Sequence, residues 1–501
     1  MAPLPRRRER ILVGALCAVA AIRVLVFSAA FPLFDNVDEK SHFDVVYRYS
    51  RGDLPRGLEP KSAGAVRIIR YCETWEYLSA PEKYEEGRTP PPGWTVGPEV
   101  LRIALDRAVA DEARVTNAES TQPPLYYLVA GAWYRLGQLL GLRQGFGAYW
   151  IRFLNVPLVA LIVWVVHLVA RALAPGEAAI RLGAPLLAAF LPQDAFFSIG
   201  NDVLSPLTAG LAFFALLSIG ARATGGMGIH ALAGLAVSAS LLTKLTNLPI
   251  LAIAAAVAAI ELIAARRRGE LPAVWPRVVL LASTIALPAG AWALRNYVLM
   301  GDFTGMAQKA ARLGWTPKPA AELLHHPIFT PAGSWQFLGF VLASFWRGEF
   351  TWHGTPLAWG GVDLFYAASS LLLVGVAAAA AFARGPAESC GERFGIRAGL
   401  GLVVLSILLL AWGSIAYDFG RCRYPSTEFP YIASGRLIGG AMAPFLCLYA
   451  IGLKRLLSRL GAGRAALPLL ILLALAMVSM EVVLSLDVFG SRFNWFHMVA
   501  P

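Results

Sequence analysis

The chain has 501 residues, of which 57% are hydrophobic and only 15% are charged, and its mean hydropathy is +0.57. Soluble proteins carry roughly 25% charged residues, so this composition excludes an ordinary soluble protein and predicts a polytopic helical membrane protein. The net charge of +12 does not indicate nucleic-acid binding, because most of the basic excess lies at the ends of apolar runs, where it sets orientation. The five cysteines have no metal-ligand spacing.

The first predicted element is an apolar helix over residues 11–31, which is long enough to cross a hydrocarbon core of about 30 Å. Asp38 and Glu39 follow it at the membrane edge, where carboxylates are costly and usually functional. On a helix these two side chains diverge by about 100°, so one can face a reacting group while the other holds a neighbour. His42 lies one turn beyond Asp38 and on its face. The residues alone leave three interpretations of the pair: a general base, a ligand of Mg²⁺ or Mn²⁺, or a solvated loop after an anchor.

The segment over residues 125–142 decides the predicted topology. It is apolar, but it is short and contains Arg135 and Gln138. If it stays in the membrane interface, every basic group between helices falls on the side of the N-terminus, and if it crosses, every group after the first moves to the other side. Cytoplasmic loops are enriched in Lys and Arg, so we expect an interfacial segment and about eleven spanning helices. The N-terminus is then cytoplasmic and the C-terminus is extracytoplasmic.

This topology divides the chain into five predicted regions. They are the cytoplasmic N-terminus with the first helix at 1–31, a large first extracytoplasmic loop with interfacial helices at 32–149, the transmembrane helices of a catalytic module at 150–300, an outer loop with an interfacial helix at 301–361, and C-terminal transmembrane helices with a short outer tail at 362–501. The runs at 230–242 and 248–264 are two helices or one bent helix. Outside Arg23 and Glu261, the apolar runs are expected to bury almost no charge.

Several polar groups share the predicted outer face. Asn201 and Asp202 lie between two helices, either as helix capping or as a second acidic site. Arginine forks suit phosphate oxygens, so the basic residues near this face are candidates for holding an anionic headgroup, namely Lys244, Arg421, Arg423 and Arg436. The alternative for the arginines is snorkelling to lipid phosphates or pairing with the acidic first loop.

The outer loop at 301–361 is rich in aromatic residues. Residues 334–346 are typical of an interfacial helix, and Trp352 is either an anchor at headgroup depth or a stacking platform for a sugar. Cys72 and Cys422 both fall outside the membrane in this topology, and a disulfide between them is a hypothesis for an oxidising compartment.

At these residues the chain resembles the GT-C class of glycosyltransferases, and more narrowly an uncharacterised bacterial multi-spanning family within it. The matching motifs are Asp38-Glu39-Lys40-Ser41-His42, the Gln122-Pro123-Pro124-Leu125-Tyr126-Tyr127 stretch, Arg152, Asn201-Asp202, Lys244-Leu245-Thr246, the stretch from Ser344 to Phe350, and Gly435-Arg436 with Pro444. The resemblance covers most of the chain as a series of short motifs. An Asp-x-Asp motif of some relatives is absent, since Asp35 and Asp38 are three residues apart.

The resemblance implies an all-α, GT-C-like bundle in the cell membrane and an inverting hexosyl- or pentosyltransferase. The enzyme would move a sugar from a polyprenyl-phosphate carrier to an extracytoplasmic envelope glycan, lipid or protein, with Mg²⁺ or Mn²⁺ as an open question. Asp38 would be the general base and Glu39 would orient it or hold the acceptor. Substrate-binding roles are implied for His42, Gln122, Arg152, Asn201, Asp202, Lys244, Trp352, Arg421, Arg423 and Arg436. The alternatives are a transporter or flippase of a lipid-linked sugar, which would need more buried charge, and a scaffold protein for envelope glycans.

Overall fold

The computed structural model describes residues 5–34, 38–84, 87, 89–221, 226–383, 390–422 and 424–498. Helices dominate this part of the chain. In chain order they are α1 (Arg6–Ala30), α2 (Glu39–Ser50), α3 (Ala63–Cys72), α4 (Pro98–Glu112), α5 (Leu125–Leu139), α6 (Gln144–Phe153), α7 (Asn155–Leu173), α8 (Ala178–Ala189), α9 (Leu204–Ala221), α10 (Met227–Thr243), α11 (Pro249–Arg268), α12 (Leu271–Met300), α13 (Met306–Leu313), α14 (Pro331–Arg347), α15 (Gly360–Phe382), α16 (Cys390–Ala416), α17 (Met442–Arg459), α18 (Ala466–Leu484) and α19 (Leu486–Phe489).

Four two-residue strands join parts of the loops. β1 (Thr316–Pro317) pairs antiparallel with β4 (Tyr417–Asp418), and β2 (Thr351–Trp352) pairs antiparallel with β3 (Thr355–Pro356). The first pair connects the loop after α12 with the loop after α16. The chain is therefore an all-α protein in which short strands fasten its loops together.

Among the described residues, eight helical segments are long and apolar enough to cross a membrane, which makes this a multi-pass membrane protein. They are Arg6–Ala30, Gln144–Leu173, Leu245–Arg268, Leu271–Met300, Gly360–Phe382, Gly391–Ala416, Gly435–Arg459 and Gly463–Leu484. Three shorter apolar helices, Ala178–Ala189, Leu204–Gly220 and Met227–Thr243, coincide with three further predicted spans. The total of eleven crossings stays a prediction. In the described part of the chain, α5 is not among the long or shorter apolar helices, in keeping with an interfacial segment.

The apolar runs at 230–242 and 248–264, for which the sequence allowed two helices or one bent helix, are separate helices. α10 ends at Thr243, Lys244 is extended with φ −160°, and a 3₁₀ turn over Leu245–Asn247 precedes α11. Pro249 begins α11, where its missing N–H is no loss. The break matters because it brings the polar side chain of Lys244 to the end of two apolar helices.

Packing is densest around α7 and α17. In Gly435–Arg459, 83% of the 18-residue apolar stretch is buried inside the protein, and in Gln144–Leu173 the buried share is 61%. α17 packs against α7, α8, α15 and α16, and α7 also packs against α1 and α9. This central position holds the segment just before α17 firmly against its neighbours, and that segment carries Arg436.

Ion pairs between the apolar helices correct one expectation from the sequence. Arg23 in α1 donates to both carboxylate oxygens of Glu481 in α18, and Glu481 was missed among the buried charges. Arg181 donates to Glu9 through two nitrogens at 3.0 Å each, and His230 lies 2.9 Å from Glu261. Each charge inside an apolar helix needs a partner, and such partners come from distant parts of the chain.

The loops pack as the sequence suggested in part. The first loop contains α4, which has no buried residue, and the interfacial helix predicted over residues 334–346 is α14. Cys72 and Cys422 are both free thiols, so the disulfide hypothesis is wrong for this structure. Cys72 is buried against Gly145, whereas Cys422 lies half-buried in the turn after β4.

Candidate functional site

The guanidinium of Arg436 forms the centre of the candidate site, since it contacts three carboxylates from distant parts of the chain. Its Nη2 donates to Oδ2 of Asp38 at 3.2 Å, and its Nη1 donates to Oδ2 of Asp202 at 3.0 Å. Its Nε lies 3.7 Å from Oε2 of Glu349 and donates to Oγ of Ser434 at 3.3 Å. The hydroxyl of Ser434 also donates to Glu349. One cation is therefore shared by three carboxylates and a hydroxyl, and the cluster consists of Asp38, Asp202, Glu349, Ser434 and Arg436.

Two glycines allow the backbone to approach closely around this cluster. A Cβ on Gly435 would overlap the backbone nitrogen of Phe345, so the segment before Arg436 can lie against α14 only with glycine here. Gly348 ends α14 with φ +75°, a conformation that other residues rarely adopt, and a Cβ there would overlap the carboxylate of Asp194. These contacts place Glu349 and Arg436 side by side.

Asp202 is held between two cations. It lies in the turn before α9, its Oδ1 accepts from Nζ of Lys244, and its Oδ2 accepts from Arg436. Burial opposes the ionised form of Asp202, but Lys244 and Arg436 outweigh burial, so the pKa of this carboxyl is below its usual range. Asp202 is therefore a fixed anion that anchors both cations.

Glu39 lies behind the cluster and is not exposed to solvent. Arg152 donates to both of its oxygens at 2.7 Å, and the backbone N–H groups of Phe34 and Ile199 donate to it at 2.8 Å each. The side chain of Arg152 is 2% exposed, and its remaining donors reach backbone carbonyls at the end of α1. This burial does not fit the predicted substrate contact of Arg152, which instead supports Glu39.

Asp38, in contrast, points into the cluster and reaches solvent. It is the residue before α2, with φ +64°, and its backbone carbonyl accepts from the N–H of His42 at 2.9 Å. Its side chain is 43% exposed. The two adjacent acids meet different partners, since Asp38 contacts Arg436 while Glu39 contacts Arg152. The predicted angle of about 100° on one helix does not apply, because Asp38 lies before α2 with a left-handed backbone. Residues 35–37 of the predicted stretch lie outside the described residues.

His42 lies beneath Asp38 and is 3% exposed. Its Nδ1 and the hydroxyl of Tyr127 are 2.8 Å apart. Burial lowers the pKa of His42, and the nearby carboxylates of Glu119, Asp38 and Asp202 only partly offset this effect. The imidazole is therefore neutral at neutral pH and acts as a hydrogen-bonding group.

Gln122 and Asn201 extend the site through a chain of hydrogen bonds. Nδ2 of Asn201 donates to Oε1 of Gln122 at 3.4 Å, and Nε2 of Gln122 donates to Glu119 at 2.6 Å. Nζ of Lys309 in α13 donates to the other oxygen of Glu119 at 2.6 Å. The loop after α12 is thus tied to the first loop beside the cluster.

A small cavity opens next to Arg436. Both cationic and acidic groups of the cluster reach it, and its lining consists of His42, Asp194, Ala195, Ser198, Ile199, Gly200, Asp202 and Arg436. The cavity combines a neutral imidazole, the carboxylates of Asp194 and Asp202, and one guanidinium, so it suits a polar group rather than an apolar one.

Two of the predicted site residues that the structure describes, Trp352 and Arg421, are not brought into this cluster. Trp352 is 4% exposed and packs edge-on against Tyr77, with ring centroids 4.9 Å apart. Arg421 is exposed in the turn after β4. Arg423 lies outside the described residues. The stacking-platform interpretation of Trp352 does not fit its burial, because a sugar cannot reach the face of an indole that protein covers.

Glu349, Ser434, Glu119 and Lys309 belong to the site, but sequence reasoning assigned them no role. Glu349 was visible in the motif from Ser344 to Phe350, so that motif was the signal that could have found it. Burial raises the pKa of Glu349, with Arg436 and Ser434 acting against it. No sequence signal pairs Glu119 with Lys309, because they are 190 residues apart.

The charges of the cluster do not fit a divalent metal ion. In the described part of the chain no three His, Cys, Asp or Glu residues are grouped to hold one. Asp202 is already neutralised by Lys244 and Arg436, and Arg436 also faces Asp38. A metal ion bound by Asp38 or Asp202 would lie close to the guanidinium of Arg436, and the two positive charges would repel each other.

No protein-family model matches the chain, and no curated protein matches it by sequence. Among solved structures, the chain is similar to the Archaeoglobus fulgidus oligosaccharyltransferase in complex with Zn and sulfate, with 11% identity, a TM-score of 0.45, and coverage of 95% of this chain and 53% of that one. It is also similar to oligosaccharyltransferase AglB from Archaeoglobus fulgidus in complex with an inhibitory peptide and a dolichol-phosphate, with 12% identity, a TM-score of 0.47, and coverage of 95% and 55%.

A third similar structure is ArnT from Cupriavidus metallidurans bound to undecaprenyl phosphate, with 14% identity, a TM-score of 0.46, and coverage of 96% of this chain and 77% of that one. The chain spans about half the length of the two oligosaccharyltransferase chains, as their coverages of 53% and 55% state. At such low identities the likeness concerns the fold alone, so the chemistry has to be inferred from the side chains of the site.

Proposed function

We propose that this protein is a GT-C-type glycosyltransferase that moves a sugar from a polyprenyl-phosphate carrier to an extracytoplasmic acceptor. The observation that carries the proposal is the junction at Arg436, where one guanidinium contacts the exposed carboxylate of Asp38 and the buried carboxylate of Asp202. The exposed acid Asp38 and the two cations Arg436 and Lys244 are thus linked through Arg436 and Asp202. Of these three side chains, Arg436 lines the small cavity.

Asp38 is the proposed general base because it is the exposed acid of the cluster, with a side chain that is 43% exposed. A base has to come within hydrogen-bond reach of the hydroxyl that it deprotonates, and buried Glu39 cannot. Arg436 and Lys244 are the proposed partners of the carrier phosphate, since guanidinium and ammonium groups are the usual protein ligands of phosphate.

The proposed reaction is a single displacement at the anomeric carbon. The acceptor oxygen forms a bond to that carbon while its proton passes to the carboxylate of Asp38. The bond between the anomeric carbon and the phosphate oxygen breaks, and its electron pair leaves with the polyprenyl phosphate. Displacement from the opposite face inverts the anomeric configuration. Phosphate is a good leaving group, so the protein contributes mainly positioning and charge stabilisation.

Glu39, Arg152 and His42 are proposed as positioning residues. Glu39 accepts four hydrogen bonds from Arg152 and from two backbone N–H groups, which fixes the start of α2 and hence the position of Asp38. His42 is bonded to Tyr127 and faces the cavity. Gln122 and Asn201 are bonded to each other at the edge of the site and are proposed to contact the donor or acceptor.

The proposed setting is a cell membrane with a cytoplasmic N-terminus and the site on the extracytoplasmic side. Arg23 and Glu481 satisfy each other between the apolar helices, and such a paired buried charge does not favour the transporter alternative. The donor sugar is proposed to be a hexose or a pentose, and the acceptor an envelope glycan, a lipid or a protein.

The test is transfer of radiolabelled sugar from polyprenyl-phosphate donors to envelope fractions. Membranes that contain the wild-type protein are compared with membranes that contain equal amounts of folded Asp38→Asn protein. We expect labelled product only with the wild type. Equal product from both would overturn the assignment of Asp38 as the base. No product with either hexose or pentose donors would favour a scaffold or transport role instead.

A further inference from the structure

The three carboxylates on Arg436 differ in how far water reaches them. The side chains of Asp202 and Glu349 are 5% and 13% exposed, whereas that of Asp38 is 43% exposed. An exposed ion pair is screened by water and contributes little, whereas removal of one partner from a buried pair is strongly unfavourable. The contact between Arg436 and Asp38 is therefore the one that an arriving anion can replace.

The balance of charges around Arg436 also indicates that its contact with Asp38 is the one that an anion can replace. Among the described residues of the cluster, Lys244 and Arg436 face Asp202 and Asp38, so these two positive charges are balanced by two negative ones. Glu349 is the third carboxyl group beside Arg436, and burial raises its pKa, which favours its neutral form. A phosphate meets an unbalanced positive charge here only when one carboxylate withdraws. Asp202 is held through both oxygens by two cations, whereas Asp38 meets Arg436 through Oδ2 alone.

Hydrogen-bond geometry also distinguishes the two contacts. Arg436 has a separate nitrogen for each acid, with Nη1 on Asp202 and Nη2 on Asp38. If Asp38 leaves, Arg436 stays anchored by Asp202 through Nη1 and presents Nη2 to the cavity. A guanidinium that is fixed on one side is preorganised to bind a phosphate oxygen on the other.

We propose that the carrier phosphate of the donor replaces Asp38 on Arg436, so that Asp38 is released as a base only on the enzyme that has bound donor. This inference rests on the proposed function and adds an order to it, with the donor binding before the acceptor is activated. While Oδ2 of Asp38 accepts a hydrogen bond from Nη2 of Arg436, that oxygen is occupied and the carboxylate is held away from an acceptor hydroxyl. After release, the carboxylate of Asp38 takes the acceptor proton as described above.

The proposal makes an unusual prediction about Asp38→Asn. If Asp38 competes with phosphate for Arg436, removal of its negative charge strengthens phosphate binding even though it abolishes transfer. We expect Asp38→Asn to bind undecaprenyl phosphate about threefold or more tightly than the wild type, the range expected for loss of an exposed ion pair. The variant is expected to fold, because φ is +64° at this position and Asn tolerates a left-handed backbone well.

The experiment titrates undecaprenyl phosphate into the wild type and the variants in nanodiscs and follows tryptophan fluorescence. Asp418→Asn is the matched control, because Asp418 is an exposed acid in β4 that makes no contact with Arg436 among the described residues. It removes the same charge at another place. Thermal unfolding of each protein with and without the lipid provides a second readout of binding.

The outcomes separate the inference from the proposed function. Tighter binding by Asp38→Asn alone supports the competition. Equal or weaker binding by Asp38→Asn, together with lost transfer, overturns the competition but keeps Asp38 as the base. Tighter binding by Asp418→Asn to the same extent also overturns it, because a general charge effect would then explain the result. Normal transfer by Asp38→Asn, or no binding of the lipid by the wild type, overturns the proposed function itself.

Discussion

Arg152 donates to both oxygens of Glu39 at 2.7 Å, although 113 residues separate the two in the chain. The pair is almost completely buried, with side chains that are 2% and 0% exposed. A bidentate ion pair of this kind fixes the start of α2 relative to α6, and Asp38 is the residue directly before α2. The geometry of the proposed base therefore depends on a contact that no substrate reaches.

Arg152→Leu is predicted to destabilise the protein strongly. The substitution leaves the carboxylate of Glu39 buried without its cation, which costs about 3–5 kcal/mol of unfolding free energy. The measurement is unfolding in detergent, followed by circular dichroism. The matched control is Arg67→Leu, since Arg67 pairs with Asp106 at the surface with side chains 45% and 47% exposed, and a change within about 0.5 kcal/mol is expected. Equal stability of Arg152→Leu and the wild type would contradict the supporting role.

Arg436→Lys is predicted to reduce transfer while the protein stays folded. Lysine keeps the charge but cannot contact Asp38, Asp202 and a phosphate from separate nitrogens, so we expect kcat/KM for the donor to fall by about 100-fold. The control is Arg421→Lys, which alters an exposed arginine that the structure leaves outside the cluster. Steady-state transfer assays on purified proteins measure both. A comparable loss in Arg421→Lys would return that arginine to the list of phosphate ligands.

Part of this site was predictable from the order of residues alone. An apolar helix followed by adjacent acids predicted that Asp38 and Glu39 would point in different directions at the membrane edge. The reason given, the helical repeat, does not hold, because Asp38 lies before α2 with φ +64°. The topology also put Asp202, Lys244 and Arg436 on one predicted face. Side-chain pairing then needed the structure, since local pattern does not say which of several cations meets which acid.

The missed residues have a common physical reason. In the sequence Glu481 is a single acid in a long apolar run. Its partner Arg23 becomes apparent only in the structure, where the two side chains form an ion pair. In the sequence Glu349 is an acid in a loop. In the structure it lies beside Arg436, because Gly435 allows the segment before α17 to lie against the end of α14. Contacts between residues this far apart arise from helix packing, which short motifs do not encode.

A double-mutant cycle on Arg23 and Glu481 is predicted to show strong coupling. Arg23→Met or Glu481→Met alone leaves one charge without its partner between apolar helices, and a loss of about 3–5 kcal/mol is expected. The double variant Arg23→Met with Glu481→Met removes both charges, so it is expected to be more stable than either single variant. Unfolding in detergent measures all four proteins, and transfer activity is expected to survive in the double variant. Additive losses would contradict a direct pair.

Glu119→Gln is predicted to flatten the acid dependence of stability. Burial acts against ionisation of Glu119, but Lys309 outweighs it and holds its pKa at about 2, below the ordinary value of 4.5. The native state therefore binds fewer protons than the unfolded state between these values. The resulting stability, about 3 kcal/mol at most, is complete above pH 4.5 and is lost as the pH falls toward 2. The pH dependence of stability is measured by unfolding at several pH values. The control is Glu112→Gln, since the side chain of Glu112 is 38% exposed. An unchanged acid slope in Glu119→Gln would contradict the ion pair.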